Sequence, residues 1–296
     1  MTKKNKAIMF IITAAFFFTI MNICVRLSGD IPVMEKSFFR NFVAFIVAGF
    51  VLVREKCPPF PNREAMPPLF LRAAFGTCGI LGNFYAVDHL MLADATMLNK
   101  LSPFFVIIFS FFILKERVNI IQALGVVAAF VGALFIIKPG VGLSSQVFAS
   151  LIGFLGGLGA GVAYTMVRLC NQRGAKGPQI VFFFSGFSCL VVLPYIIFFY
   201  HPMTLVQVLT LIAAGASAAC AQFAVTAAYS NAPAKEISIY DYSQLIFAAV
   251  LGFFIFGNIP DTLSIIGYFI ISGASAAMFV YNNRHNGKRS SEASEA

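Results

Sequence analysis

Tryptophan is missing from the 296 residues, and charge is scarce, with 12 acidic and 21 basic side chains making up 11% of the chain. A soluble domain carries about 25% charged residues, so this composition excludes a globule with a solvated surface. Histidine occurs three times, as His89, His201 and His285, at segment ends or in the tail. These form no metal-ligand cluster, and no Ser-His-Asp arrangement is visible. Cys24, Cys57, Cys78, Cys170, Cys189 and Cys220 are scattered, mostly in apolar segments, and no pair has C-x-x-C spacing. Neither a zinc site nor a disulfide framework is indicated. No Walker sequence is present, so direct ATP coupling would need a partner. No metal, no cofactor and no enzymatic activity are expected.

What the chain does contain is apolar. Hydrophobic residues make up 59%, phenylalanine alone numbers 35, and the mean hydropathy is +0.85. This is the composition of a polytopic membrane protein. The net charge of +9 does not point to nucleic acid, because the basic residues sit in short loops between apolar runs, as orientation signals do. Lys3, Lys4 and Lys6 before the apolar run 7–27 imitate a signal peptide. That run is too long for an h-region and lacks a small-x-small end, so it reads as the first transmembrane helix.

A helix needs about 20 apolar residues to cross a bilayer. Ten segments qualify: 7–27, 34–53, 68–88, 93–114, 119–137, 148–169, 178–199, 205–229, 235–256 and 263–282. We number them spans 1 to 10. With the N-terminus inside, cytoplasmic segments hold Lys3, Lys4, Lys6, Arg54, Lys56, Arg63, Lys115, Arg117, Arg168, Arg173, Lys176, Lys235, Arg284, Lys288 and Arg289, and external ones hold Lys36 and Lys138. The bias places both termini in the cytoplasm of a cell-membrane protein.

Adding 142 to a residue number carries the first half onto the second. Val25-Arg26-Leu27 becomes Val167-Arg168-Leu169, and Phe105, Phe112 and Gly125 become Phe247, Phe254 and Gly267. The expected units are repeat 1–140, repeat 141–283 and a short disordered cytoplasmic tail, 284–296. Five spans per half is an odd number, so the second half must run through the membrane in the opposite sense. An inverted repeat of this kind supports alternating access.

One stretch carries a family pattern. It runs Phe70-Leu71-Arg72, Gly76, Gly79, Asn83-Phe84-Tyr85-Ala86, then Ala93-Asp94-Ala95-Thr96, Leu101-Ser102-Pro103 and Leu114-Lys115-Glu116-Arg117, ending at Gly125, Gly132 and Lys138-Pro139-Gly140. In this order and spacing it resembles the drug/metabolite transporter superfamily, in its EamA branch, over about residues 7–282. The second half departs from the pattern, with Asn258 where the first has Glu116 and Gln244 where it has Ser102. The resemblance implies an all-α carrier of ten transmembrane helices in two inverted five-helix repeats. It also implies a central cavity lined mainly by spans 1, 3, 4, 6, 8 and 9. Members move amino acids, nucleobases, adenosylmethionine-like metabolites and amphiphilic drugs.

Polar residues inside the spans point to the same six helices, since a polar group in hydrocarbon normally faces protein or a watery cavity. Asn22 and Arg26 share a face of span 1, and their repeat counterparts are Tyr164 and Arg168 on span 6. Asn83 and Tyr85 lie on span 3, and Gln222 on span 8. Asn99 and Lys100 on span 4 correspond to Asp241 and Tyr242 on span 9, beside Tyr240. Asn22, Asn83, Tyr85, Asn99, Lys100, Tyr164, Gln222, Tyr240 and Tyr242 are therefore candidates for lining the cavity or meeting substrate. Asp241, Arg168, Arg26 and Arg40 are candidates for gating or coupling. Gly153, Gly157 and Gly161 predict close helix packing on span 6, and Ser102-Pro103 and Pro194 predict bends.

Depth separates Lys100 from Asp241 on the sequence. Asp241 lies about 9 Å from the inner end of its span and Lys100 about 10 Å from the outer end of its own, at 1.5 Å per residue. That leaves roughly 10 Å between them in a ~30 Å core, so Arg168 is the expected partner of Asp241. A structural pair and a gating or proton-coupling role both fit that carboxylate. Arg26, Arg40 and Lys100 fall in the outer half and suggest a basic vestibule for a carboxylate or phosphate. Against this, Arg26 can snorkel, and Asp30 and Glu35 can neutralise Arg40.

The reading is a secondary transporter for a small polar or amphiphilic organic metabolite (amino-acid-like, nucleobase- or nucleoside-like, or a carboxylate), with proton coupling or exchange left open. The alternative is a lipid or amphiphile flippase without ion coupling. Expected partners are the small-molecule substrate and the lipid bilayer, with no nucleic acid; a homodimer, the direction of transport and the substrate are left open.

Overall fold

The computed structural model describes residues 3–115, 118–138, 145–231 and 238–295. Glu116, Arg117, Pro139, Gly140 and Lys235, and the expected repeat boundary at 140/141, lie outside the described residues. The described chain is helical throughout. In hydrocarbon every backbone N–H and C=O needs an internal partner, and long apolar runs meet that need as helices. The ten spans are Lys3–Leu27, Val33–Arg54, Met66–His89, a broken fourth (Leu92–Asn99 and Ser102–Ile113), Ile120–Ile137, Ser145–Gln172, Gly177–Phe198, Leu205–Asn231, a broken ninth (a 3-10 turn Ser238–Tyr242 and helix Ser243–Phe256) and Thr262–Glu295. Among the described residues, nine helices are long and apolar enough to cross a membrane, and Tyr240–Phe256 is a shorter apolar one.

Two expectations about the helices change. The fourth and ninth spans are interrupted rather than continuous. In the fourth, Pro103 stands in the first turn of the second segment. It brings no N–H and crowds the carbonyl four residues back, at Asn99, so the helix stops there and restarts. The segment from Arg284 to Glu295 continues span 10 as helix, where a disordered tail is expected. It holds no proline to end the helix. Span 7 runs through Pro194 without ending.

The two halves show the same local devices 142 residues apart. Asn119 caps span 5 in a reciprocal box, accepting from the Gln122 backbone N–H at 2.8 Å while the Gln122 side chain accepts from the Asn119 N–H at 3.1 Å. Its counterpart Asp261 accepts from the Ser264 N–H at 2.8 Å at the start of span 10. Lys115 and Gly257 both leave their helices in the left-handed conformation, at φ 54° and 65°.

Packing follows the same symmetry. Span 3 packs on span 6 and span 1 on span 8, while spans 2 and 7, 4 and 9, and 5 and 10 pair across the halves. Advancing every span number by five, and counting on from ten to one, maps this pattern onto itself. The halves therefore interlock. Glycine sets the closest approach. A methyl group at Gly82 would lie 2.9 Å from the Gly156 Cα, and one at Gly157 would lie 2.5 Å from the Leu98 carbonyl oxygen. Gly153, Gly157 and Gly161 thus pack against spans 3 and 4, as their spacing predicts. In the equivalent span 1–span 8 interface, buried alanines (Ala7, Ala14, Ala221, Ala228) do the same work.

Candidate functional site

The two broken spans pack against each other. Lys100 follows the first segment of span 4 as its C-cap, and Asp241 lies in the 3-10 turn that opens span 9. Lys100 Nζ donates to Asp241 Oδ2 at 2.5 Å, with the lysine 8% and the aspartate 24% exposed. The expectation that depth keeps them apart is overturned. A ruler of 1.5 Å per residue holds for a continuous helix, and both spans lose that geometry where these residues sit. Lys100 is the ion-pair partner that the structure gives Asp241, and Arg168 lies exposed on span 6. Beside the ion pair, Tyr242 Oη donates to the Lys100 carbonyl at 3.1 Å. Lys100 and Tyr242 are 142 apart, so repeat-related residues touch and the pseudo-twofold axis passes close by.

A second charged group lies on spans 2, 3 and 7. The Arg72 guanidinium carbon stands 3.9 Å from the centre of the Phe184 ring, and that of Arg40 stands 5.8 Å from it. Such contacts are cation–π interactions. Arg40 Nη1 donates to Asn41 Oδ1 at 2.7 Å. Arg40 Nε and Arg72 Nε are buried and have no hydrogen-bond partner among the described residues. The two arginines, Phe184, Ser185 and Gln222 line one small cleft. Tyr164 is 54% exposed, yet its phenol lies within electrostatic reach of Arg72, Asp241 and Arg40.

The other candidates separate. Asn22 and Asn83 are buried and adjacent, with Asn83 Nδ2 donating to Asn22 Oδ1 at 3.4 Å. Arg26 Nη1 donates to the Leu90 carbonyl at 3.0 Å and lies over Phe256. Glu35 accepts from the His201 backbone N–H at 3.0 Å instead of neutralising Arg40. Arg26, Arg40 and Lys100 thus form no common vestibule, since each is held by a different group. Tyr85 stacks on His89 at 4.1 Å and meets Phe148 at its edge, which places it in an aromatic cluster at the end of span 3. Asn99 is half-buried beside Lys100, and Tyr240 is 37% exposed beside Asp241.

The end of the molecule where Lys36 and Lys138 lie is latched by residues the sequence did not single out as a site. Fully buried Lys36 donates to both carboxylate oxygens of Asp88 at 2.7 Å, Tyr268 Oη donates to Asp94 at 2.5 Å, and Lys138 pairs with Asp261. Asp261 lies in the loop before span 10. Slight burial pushes its carboxyl up, but the bonds from Lys138 and Ser264 outweigh this and hold it below the usual range. Arg72, Phe184 and Ser185 were also missed as site residues. Spans 2 and 7, which carry Arg40 and Phe184, join the cavity wall that the family pattern assigns to spans 1, 3, 4, 6, 8 and 9.

The family model described as "EamA-like transporter family" matches residues 5–138. The pseudopaline exporter CntI of Pseudomonas aeruginosa is 31% identical over 276 residues, covering 93% of this chain and 96% of that one. The riboflavin transporter of Brucella anthropi is 26% identical, covering 89% and 95%. Human solute carrier family 35 member G1 is 25% identical, covering 83% and 71%. A solved crystal structure superposes with a TM-score of 0.65 at 15% identity, over 95% of this chain and 99% of that one, a likeness of fold alone. The chain is a multi-pass membrane protein of the EamA-like transporter family.

Proposed function

We propose that the chain is a secondary carrier that moves a small polar or amphiphilic organic metabolite across the cell membrane by alternating access, with both termini cytoplasmic. One observation carries the reading. The Lys100–Asp241 pair ties together two interrupted spans, one from each half, beside the pseudo-twofold axis. Interrupted spans meeting near the middle of an inverted repeat are where carriers of this build place substrate and coupling ions. The bond of Lys36 to Asp88 ties span 2 to span 3 at one end. On the proposed orientation that end is external. Relatives named as an exporter and as a transporter of organic metabolites support the class, and the exporter favours outward movement.

Asp241 is the coupling residue in this reading. Its proton uptake would break the bond to Lys100 and free span 9 from span 4. The test begins with an unbiased metabolite comparison of cells with and without the protein, followed by flux of the accumulating compound in proteoliposomes. The expected result is saturable flux that a pH gradient accelerates. In Asp241→Asn the gradient effect disappears while exchange persists, which also shows that the variant is folded. Unchanged pH dependence in that variant removes the coupling role. Absence of any metabolite difference and of saturable flux removes the carrier reading.

A further inference from the structure

The arginine group poses a separate problem of charge. Arg40 and Arg72 face the same aromatic ring, and two like charges this close repel one another. No carboxylate is among the groups acting on either guanidinium, within the described residues. Phe184 offsets part of the cost, because a desolvated cation is attracted to the face of an aromatic ring. It leaves both buried Nε–H groups without an acceptor. Ser185 adds a buried hydroxyl, also without a partner among the described residues. Arg40, Arg72 and Ser185 therefore line one cleft, and each keeps a buried polar atom without a protein partner among the described residues.

Local structure holds this arrangement open. Arg72 and Gly76 are four apart on span 3 and share a face. The Arg72 Nη1 lies 2.1 Å from where a side chain at position 76 would begin, so glycine is what lets the guanidinium lie against its own helix. The repeat does not reproduce the site. Positions 182 and 214, which correspond to Arg40 and Arg72, are phenylalanine and alanine. The arginines thus belong to one half, which fits recognition rather than scaffold. A second cleft adjoins the first, with Ala44, Val181 and Gln222 lining both. Its further wall is apolar, from Val47, Val51 and Phe223. Charge at one end and hydrocarbon at the other describe an amphiphilic anion.

We propose that Arg40, Arg72 and Ser185 bind the anionic head of the transported molecule, an organic acid whose apolar part lies along the groove between spans 2, 7 and 8. Arginine suits this role, since its planar fork binds a carboxylate through two parallel hydrogen bonds. The inference rests on the carrier reading for its transport role and on the arginine geometry for its chemistry.

The test uses the purified full chain in phosphatidylcholine nanodiscs, with benzoate and uncharged benzamide as probes and the unfolding midpoint as readout. Benzoate should raise the midpoint in a concentration-dependent way, and benzamide at equal concentration should not. Arg72→Gln should weaken the benzoate response at least tenfold. Gly76→Ala keeps both charges but displaces Arg72, so it should weaken the response even where Arg72→Gln fails to fold. Arg63→Gln, exposed in the 3-10 turn before span 3, should leave the response intact. Equal responses to the two probes, or an undiminished benzoate response in Gly76→Ala, overturn the site. Loss of the response in nanodiscs containing phosphatidylglycerol overturns its assignment to a free organic acid in favour of a lipid headgroup. Saturable flux of a purely cationic or neutral metabolite overturns the anion site and leaves the carrier reading standing. Benzoate binding without any saturable flux does the reverse.

Discussion

The two buried charge groups differ in whether protein completes them. Lys100 and Asp241 satisfy each other across the halves at 2.5 Å. Arg40 and Arg72 share a ring, and among the described residues no carboxylate acts on either. A completed pair holds structure together, because removing one member strands a largely buried charge. An incomplete pair weakens the structure, and a binding site is a reason to retain it. Stability and function should therefore respond in opposite senses at the two places.

The largest effect expected is on the completed pair. Asp241→Asn leaves the Lys100 ammonium buried without its counter-charge, and breaking a buried pair this way costs about 3–5 kcal/mol. The combined change Lys100→Met with Asp241→Leu should recover most of that loss, because no charge is left stranded. Denaturant unfolding of the purified protein measures both. If the single variant loses under 1 kcal/mol, the pair is not the structural tie between the halves. At the incomplete pair the order reverses. Arg72→Gln should lower substrate flux by about tenfold to a hundredfold, the worth of a charge-assisted bond, while stability stays level or rises because a repulsion is removed. A large fall in stability there would show that the arginines are scaffold.

How much of this was legible in the sequence follows from the same contrast. Apolar length alone locates the spans, since a bilayer of fixed thickness leaves little else to choose. The interior polar residues lead to Asn22, Lys100, Tyr164, Asp241 and Tyr242, because a polar group in hydrocarbon is costly wherever it stands. The partnership of Lys100 with Asp241 was not legible. It depends on helix breaks, which a count of residues along a continuous helix misses, although Pro103 signalled one of them. Arg72 escaped because it lies near a span end, where basic residues usually snorkel. Its signal was Gly76 one turn on, which makes sense once the guanidinium is seen filling the glycine's empty side. Phe184 carries no signal at all, since among 35 phenylalanines a ring facing arginine looks like one facing lipid.

Glycine packing provides an intermediate test, on the scaffold that carries both groups. Gly156→Ala puts a methyl 3.0 Å from the Asn83 backbone nitrogen and 3.1 Å from the Gly82 carbonyl carbon. Backbone cannot move aside as a side-chain tip can, so spans 3 and 6 must separate, at about 1–3 kcal/mol. Ala14, at the repeat-equivalent position in the span 1–span 8 interface, already carries its methyl in a fully buried site. Ala14→Gly should therefore open a gap instead of relieving a clash, with a smaller loss, about 1 kcal/mol from helix propensity alone. Equal losses in unfolding experiments would mean that the two interfaces are packed alike.

The smallest effect belongs to the exposed latch, and it sharpens the comparison by showing what a completed pair is worth in water. Lys138 and Asp261 are bonded, but Asp261 is about half exposed, so screening limits the pair to under about 1 kcal/mol. The Asp261 carboxyl is held below its usual range, so its contribution is present in full above the unfolded value of about 3.9. The contribution is lost as pH falls through the lower folded value. Stability should therefore show no dependence on this group between pH 7 and 5 and decline only below about pH 4. Asp261→Asn should remove that acidic limb and lose a little at pH 7, more at low salt than at high salt. Were the loss at pH 7 as large as that of Asp241→Asn, burial would not be what distinguishes the central pair from the peripheral one.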